Sequence, residues 1–438
     1  MTRTDSTMTS TTNAPTTESS KPNTFSVAIV GGGIGGLALA LGLLKYDHID
    51  VQIYEAAHSF GEIGAGVAFG VNTQCALKLI GPHAWGAFEK HATPNKWESH
   101  ADVFADHIVG QGEHEGELIC SQKTKGGMRS VHRAHFLDEL VRGVPTERAH
   151  FNKRVQSIEE KQGSPVVLHF KDGMTATADA VVGADGIHSS TREFILGERD
   201  MSVHSVFAGS VAYRGLIPMD KAVEKLGAEY AQNSMFLCGP GKAILSYPID
   251  LGKILNIVVM DFERPSWESE KWIMPATYAQ LDALFTGWGE KARSLIALLD
   301  SPSLTVWAMR DDLPAPTYTV GHVAMMGDAA HATTPFQGQG AGQAIEDALV
   351  LETVLGRVGD AKSIANAFAA YDQVRRPRSQ RVVKTSREAG RLVGMLTEGV
   401  GSDLVKIRQR LETRMHWIWN RDLEKQNAEA VALFEESL

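Results

Sequence analysis

Six consecutive residues, Gly31-Gly32-Gly33-Ile34-Gly35-Gly36, satisfy the pattern G-x-G-x-x-G. In that pattern Gly31 permits a tight turn, Gly33 lets the backbone approach a pyrophosphate, and Gly36 lets a helix pack closely on a strand. A helix starting there turns free N–H groups and its positive dipole end toward the anion. Glu55, followed by Ala56, stands where a carboxylate can accept hydrogen bonds from a ribose hydroxyl pair. NAD and FAD both suit these residues, so they leave the dinucleotide open. Two later clusters narrow it to FAD. Gly183-Ala184-Asp185-Gly186, with Ser189 and Arg192 beyond, places Asp185 to accept from cofactor hydroxyls. Gly327-Asp328-Ala329-Ala330-His331 runs on through Thr333-Thr334-Pro335 to Gly338, Gly340, Ala341 and Gly342. There Asp328 suits ribityl hydroxyls, and the glycine-rich run lets backbone N–H groups close on a flat ring. His331 reads as a structural histidine beneath that loop, with a catalytic base as the alternative.

These clusters need strand ends to hold them. Phe25 to Val30 is a short continuous apolar run, as expected of a strand buried on both faces of a parallel sheet. Leu37 to Tyr46 reads as a helix and Val51 to Tyr54 as a second strand, making a βαβ unit of about 30 residues. A helix is expected around Arg133 to Arg142, strands at Pro165 to Phe170, Ala180 to Val182 and Val323 to Met326, and a helix from about Gln343. Between 205 and 262, short β-rich segments at Ser210 to Ile217, Ala243 to Ile249 and Ile254 to Met260 are separated by turn residues, the pattern of an antiparallel sheet. The expected architecture is α/β: a Rossmann-like FAD-binding domain with an inserted antiparallel-sheet substrate domain and a helical C-terminus. Its divisions are a disordered tail over 1–23, the first part of the FAD-binding domain over 24–204, the substrate domain over 205–305, the second FAD-binding part over 306–385 and a helical segment over 386–438.

Composition excludes several classes. A net charge of -9 disfavours a general role on nucleic acid, which draws on many cations meeting phosphates. Cys75, Cys120 and Cys238 are scattered without metal-ligand spacing, so no metal site is expected and the thiols read as reduced. The Ser- and Thr-rich first 23 residues contain no apolar run, so no secretory signal is read there. No apolar stretch reaches the length of a membrane span. The expected location is cytoplasmic, as a monomer or homodimer.

The motifs together resemble the flavin-dependent aromatic hydroxylases of the para-hydroxybenzoate hydroxylase fold, in a salicylate hydroxylase-like, fungal-type subgroup. Ile53-Tyr54-Glu55-Ala56, the 60–67 segment Phe-Gly-Glu-Ile-Gly-Ala-Gly-Val that contains Gly66, Ala212-Tyr213-Arg214-Gly215, Glu346-Asp347-Ala348 and Arg375-Arg376-Pro377-Arg378 carry the resemblance. It implies bound FAD, NADH or NADPH as a transient co-substrate, and O2. It also implies that Arg133 contacts the FAD phosphate region, that Glu55 binds the adenosine ribose, and that Asp185 lies in a motif shared by FAD and NAD(P)H binding. The implied reaction places one oxygen atom on a small phenolic substrate through a flavin C4a-hydroperoxide, which needs shelter from water.

Such chemistry requires a group that stabilises a negative substrate oxygen. Arg214 interrupts the apolar run Val211 to Ile217, and Tyr247 shares a strand face with Leu245 and Ile249. The two are expected to flank the ring and hold its carboxylate or phenolate, with Pro335 at the flavin loop. An internal ion pair for Arg214 and plain core packing for Tyr247 stay open. Salicylate hydroxylases carry a histidine after that proline, whereas this chain has Phe336, which takes no proton. Against that departure, the resemblance implies conversion of a salicylate-like acid to a catechol with decarboxylation. Hydroxylation or oxidative dearomatisation of a non-carboxylated polyketide phenol is one alternative, and a flavin reductase or dehydrogenase without oxygen insertion is another.

Overall fold

In the strand Phe25–Val30 every residue but Ser26 is buried, because helices cover both faces of the sheet it belongs to. That continuous apolar run is what a parallel strand needs, since neither face meets water. The structure, a computed structural model, describes residues 24–61 and 65–438. The tail expected over 1–23 lies outside the described residues, as does the centre of the 60–67 motif.

The first sheet has six strands, in the order Thr319–Val320, Val323–Met325, Ala180–Gly183, Phe25–Val30, Ile49–Tyr54 and Ala149–His150. All pairs are parallel except the one that joins Thr319–Val320 to Val323–Met325. The three sequence clusters leave the same ends of three adjacent strands. Gly31 follows Val30, Ala184 follows Gly183, and Met326-Gly327 follows Met325, with Glu55 at the end of the strand on the other side. Ligands of open parallel sheets bind at that edge.

The second sheet has eight strands, ordered Ile273–Pro275, Thr305–Asp311, Val206–Pro218, Ile254–Asp261, Lys242–Ile249, Met235–Gly239, Val103–Val109 and Leu118–Lys123. It is antiparallel apart from the pairing of Met235–Gly239 with Val103–Val109. Two of its strands thus come from within 24–204, so the sheet extends beyond the 205–305 stretch expected to hold it. The physical reason is the parallel edge of Met235–Gly239, which needs a partner from far along the chain. One face buries Tyr213, Ile244, Leu255, Ile257 and Val259 under helices that include Tyr278–Leu284 and Glu290–Ala297. Alternation sends Arg214, Leu245, Tyr247, Asn256 and Val258 to the opposite face, toward a cavity.

Helix Gly340–Leu355 begins three residues before Gln343. A side chain at Gly342 would strike the Thr73 hydroxyl, so the glycine lets helix Val71–Ile80 lie close against that first turn. The helical C-terminus is present: Ile364–Val393 packs on Gly340–Leu355, and Leu404–Thr413 packs on strand Leu118–Lys123. No helix among the described residues is long and apolar enough to cross a membrane.

Candidate active site

The two sheets enclose a cavity of about 740 Å³, lined by every residue expected to hold the cofactor except Gly36 and Gly342. Gly31 has φ +106°, and a Cβ there would lie 2.3 Å from the Ala184 carbonyl oxygen. A Cβ on Gly36 would lie 2.1 Å from the Gly31 carbonyl, whereas one on Gly33 would meet nothing within 4 Å. The first and third glycines are therefore needed by the fold itself. The second faces open space, which is where a pyrophosphate could pass close to the backbone.

Glu55 is fixed by two backbone donors: Gly32 N–H reaches one carboxylate oxygen at 2.7 Å and Ala57 N–H the other at 2.7 Å. A carboxylate has about four acceptor positions, so two remain for a hydroxyl pair. Asp328 is exposed to the cavity at the start of the short helix Asp328–His331, and its carboxylate makes no hydrogen bond to other described residues. Arg133 heads helix Arg133–Val141, with its N–H bonded to the Ala65 carbonyl at 2.9 Å. Gly338 adopts the left-handed conformation (φ 62°, ψ 33°) that closes the turn after Pro335. Asp185 lines the cavity, but its carboxylate accepts from the Ser189 hydroxyl at 2.6 Å and from the Thr191 N–H at 3.1 Å, bracing the following helix.

Supporting residues lie beneath the loop. Arg192, fully buried, donates to the carbonyls of Ala329, Ala330, Leu313 and Ser202. His331 is buried against Asp347 at 2.5 Å, and Asp347 also accepts from Gly327 N–H and from Arg375. Surrounding cations hold the Asp347 carboxyl below its usual range despite burial, which acts the other way. His331 is thereby committed to the framework under the loop.

On the substrate side, Arg214 lies half-buried with its guanidinium over the Trp307 ring at 5.1 Å, and its Nε makes no hydrogen bond. No carboxylate pairs with it among the described residues. Tyr247 is buried beside it, and its pKa is pushed up to about 12 by burial, with Arg214 opposing. Gly66 is small for Tyr247's sake: a Cβ there would lie 2.8 Å from the tyrosine ring. Pro335 and Phe336 both line the cavity, and Phe336 packs edge-on to Phe262. The structure thus brings Arg214, Tyr247, Pro335 and the cofactor residues to one cavity. It adds residues that sequence reasoning passed over: His107, Gln122, Ser234, Asn256, Trp307, Arg310 and Arg414. One of these left a trace, since His107 interrupts the buried positions of an alternating strand, Val103–Val109.

Among the described residues, the carboxylates in the cavity wall are Glu55, Asp185 and Asp328, all beside the dinucleotide cradle. The open glycine turn, the free lone pairs of Glu55 and the loop before Gly340 fit FAD, on the residues present. Fold and site together define a flavoprotein of the para-hydroxybenzoate hydroxylase fold. Residues 24–386 match the family described as FAD binding domain. A 6-methylsalicylate 1-monooxygenase of Aspergillus terreus is 49% identical over 94% of this chain and 93% of its own length. A salicylate hydroxylase of Pseudomonas putida is 38% identical over 93% and 94% of the two chains. A solved salicylate hydroxylase substrate complex superimposes with a TM-score of 0.83 at 36% identity, over 93% of this chain and 98% of the other. The chain belongs to the FAD binding domain family, as a salicylate hydroxylase-like FAD-dependent aromatic monooxygenase.

Proposed function

We propose that this enzyme converts a salicylate-like phenolic acid to a catechol, with the departing carboxylate lost as carbon dioxide. The observation that carries the reading is the charge of the substrate end, where Arg214 and Arg414 line the wall and, among the described residues, no carboxylate does. A half-buried guanidinium without a carboxylate partner among the described residues favours an anion supplied by a ligand. The printed activities of the two relatives above support the same substrate class.

Bound FAD supplies the redox chemistry that passes electrons from NADH or NADPH to O2 and one oxygen atom to the ring. The balance is one phenolic acid anion, one NADH, one O2 and two protons, giving catechol, carbon dioxide, NAD+ and water. Gly33, Glu55, Ala56, Arg133, Asp328 and the loop through Gly338, Gly340, Ala341 and Gly342 hold the cofactor, and Asp185 keeps the turn beside it in shape. Arg214 stabilises the ring oxygen as a phenolate. Tyr247, its pKa pushed up to about 12, stays protonated at neutral pH and donates to that oxygen. Pro335 shapes the loop against the ring, while Phe336 and the sheet face exclude water.

Supplying salicylate or 6-methylsalicylate to the purified enzyme should accelerate NADH oxidation and release carbon dioxide and the matching diphenol in equal amounts. Arg214→Ala should lose most of that acceleration, by roughly 100-fold in kcat/KM. Turnover of a neutral, orcinaldehyde-like phenol with none of any phenolic acid would overturn the reading. The absence of a proton acceptor at Phe336 favours that second substrate class.

A further inference from the structure

Asp312 follows the strand Thr305–Asp311, where the chain leaves the second sheet on its way back to the first. Its N–H donates to the Ala332 carbonyl at 2.9 Å, and its Oδ2 accepts from the Ala332 N–H at 3.0 Å. Both polar groups of Ala332 are thus held by one residue. Ala332 joins the short helix Asp328–His331 to Thr333 and Pro335, which line the cavity. Two residues on, Ser386 of helix Ile364–Val393 holds Thr334 in a similar double fashion. Its hydroxyl accepts from the Thr334 hydroxyl at 3.0 Å and donates to the Thr334 carbonyl at 2.6 Å. The flavin loop is therefore clamped on either side of Thr333, once by a neutral group and once by a carboxylate.

That carboxylate is poorly compensated. Only 3% of the Asp312 side chain is exposed, and its buried Oδ1 makes no hydrogen bond among the described residues. Arg192, on helix Ser190–Leu196, comes within 3.3 Å of Oδ2, but its guanidinium hydrogen bonds run to the carbonyls of Ser202, Ala329, Ala330 and Leu313. The preceding Asp311 differs, because Arg387 meets both of its oxygens. Burial pushes the Asp312 pKa up to about 7, opposed by Arg192 and the Ala332 N–H. Among the loop's own groups, Asp328 adds to the rise and His331 resists it. An ionised carboxylate in such a place destabilises the fold, so its presence points to a use at the loop it holds.

We propose that Asp312 is a positioning residue for the flavin, whose ionised carboxylate pins Ala332 and so sets the course of Thr333 to Pro335 in the wall that faces FAD. A hydrogen bond to an ionised acceptor is roughly twice as strong as one to a neutral acid, so protonation loosens the pin. FAD then binds the ionised form more tightly, and by linkage its binding expels a proton below pH 7. The assignment concerns the cofactor and holds whichever phenol is oxidised. For the stripped protein the sign is reversed. A folded pKa above the ordinary aspartate value of about 4 means that this group's contribution to stability falls as the pH rises from about 4 to about 7.

FAD binding to the stripped protein, followed by quenching of flavin fluorescence, reads this role apart from turnover. The wild-type dissociation constant should rise roughly 10-fold as the pH falls through about one unit below 7. Calorimetry in buffers of differing ionisation enthalpy should show about half a proton released per FAD near pH 6.5. Asp312→Asn, which copies the protonated form, should bind FAD at the weaker level throughout and release no such proton. The stripped variant should melt no lower than the wild type at pH 8, because the buried charge is gone. A variant that keeps the wild-type pH dependence would give the titration to another group, His331 foremost, and overturn the proposal. So would wild-type FAD affinity in the variant at pH 8. Should the variant fail to fold, the wild-type protein decides alone: absence of proton release near pH 6.5 overturns the assignment.

Discussion

Gly33 and Gly36 sit three residues apart and answer to different constraints. Gly36 would clash with the Gly31 carbonyl if it carried a Cβ, whereas the space beside Gly33 is empty of protein atoms. Gly33→Val should therefore fold with the thermal stability of the stripped wild-type protein but retain no flavin, seen as loss of the visible absorbance. Gly36→Val should lower the stability of the stripped protein itself. A Gly33→Val protein that keeps stoichiometric FAD would mean the pyrophosphate passes elsewhere. At this scale much of the cradle was legible, because glycines at fixed offsets and an acid at the next strand end have few other uses. Arg414 was not, since one arginine in a charged helical segment reads as a solvated side chain until the fold turns it inward. Asp185 shows the converse limit: its motif was visible, but only the fold reveals that Ser189 and Thr191 occupy its oxygens.

Between elements, the junction of helices Gly340–Leu355 and Ile364–Val393 is held by charge. Arg375, fully buried, donates to Asp347 at 2.7 Å and to Glu346 at 2.7 Å, and Arg378 reaches Glu346 as well. These ions are compensated as a group, so removing one strands the others. Asp347→Ala should lower the unfolding free energy by about 3–5 kcal/mol, as measured by urea titration of the stripped protein. It should also loosen the flavin loop, because Gly327 N–H and His331 lose the same acceptor. Wild-type stability in that variant would show the cluster to be expendable. The strand Phe25–Val30 and its helix were readable because a continuous apolar run bounded by glycines admits few folds. Val103–Val109 was not, because a half-buried alternating strand carries no mark of its partner, and Met235 pairs with Asp106 across more than a hundred residues.

The whole molecule makes one reaction chamber out of three pieces of chain. The first sheet supplies the cradle, the second the substrate face, and the C-terminal segment a wall through Leu411, Arg414 and Met415. Leu411 is 2% exposed, so Leu411→Ala opens a gap in that wall and costs roughly 2–5 kcal/mol of stability. Water entry should raise the hydrogen peroxide formed per NADH consumed and lower the yield of diphenol, with FAD content unchanged. Unaltered coupling in this variant would show that the wall does not exclude water.

The chain crosses between its two larger sheets repeatedly: strands within 25–54 in the first, 103–123 in the second, Ala149–His150 and Ala180–Gly183 in the first, 206–311 in the second and 319–325 back in the first. On a ribosome, neither sheet can finish early. Val103–Val109 emerges with its hydrogen-bonding edge open and waits for Met235–Gly239, while Ala180–Gly183 waits for Val323–Met325. Pairings of such long sequence separation form slowly, and exposed strand edges invite association with other chains in the interval. Strand edges of both sheets therefore stay open until about residue 325 has left the exit tunnel, and the cofactor loop through Gly340 and Ala341 follows only after that.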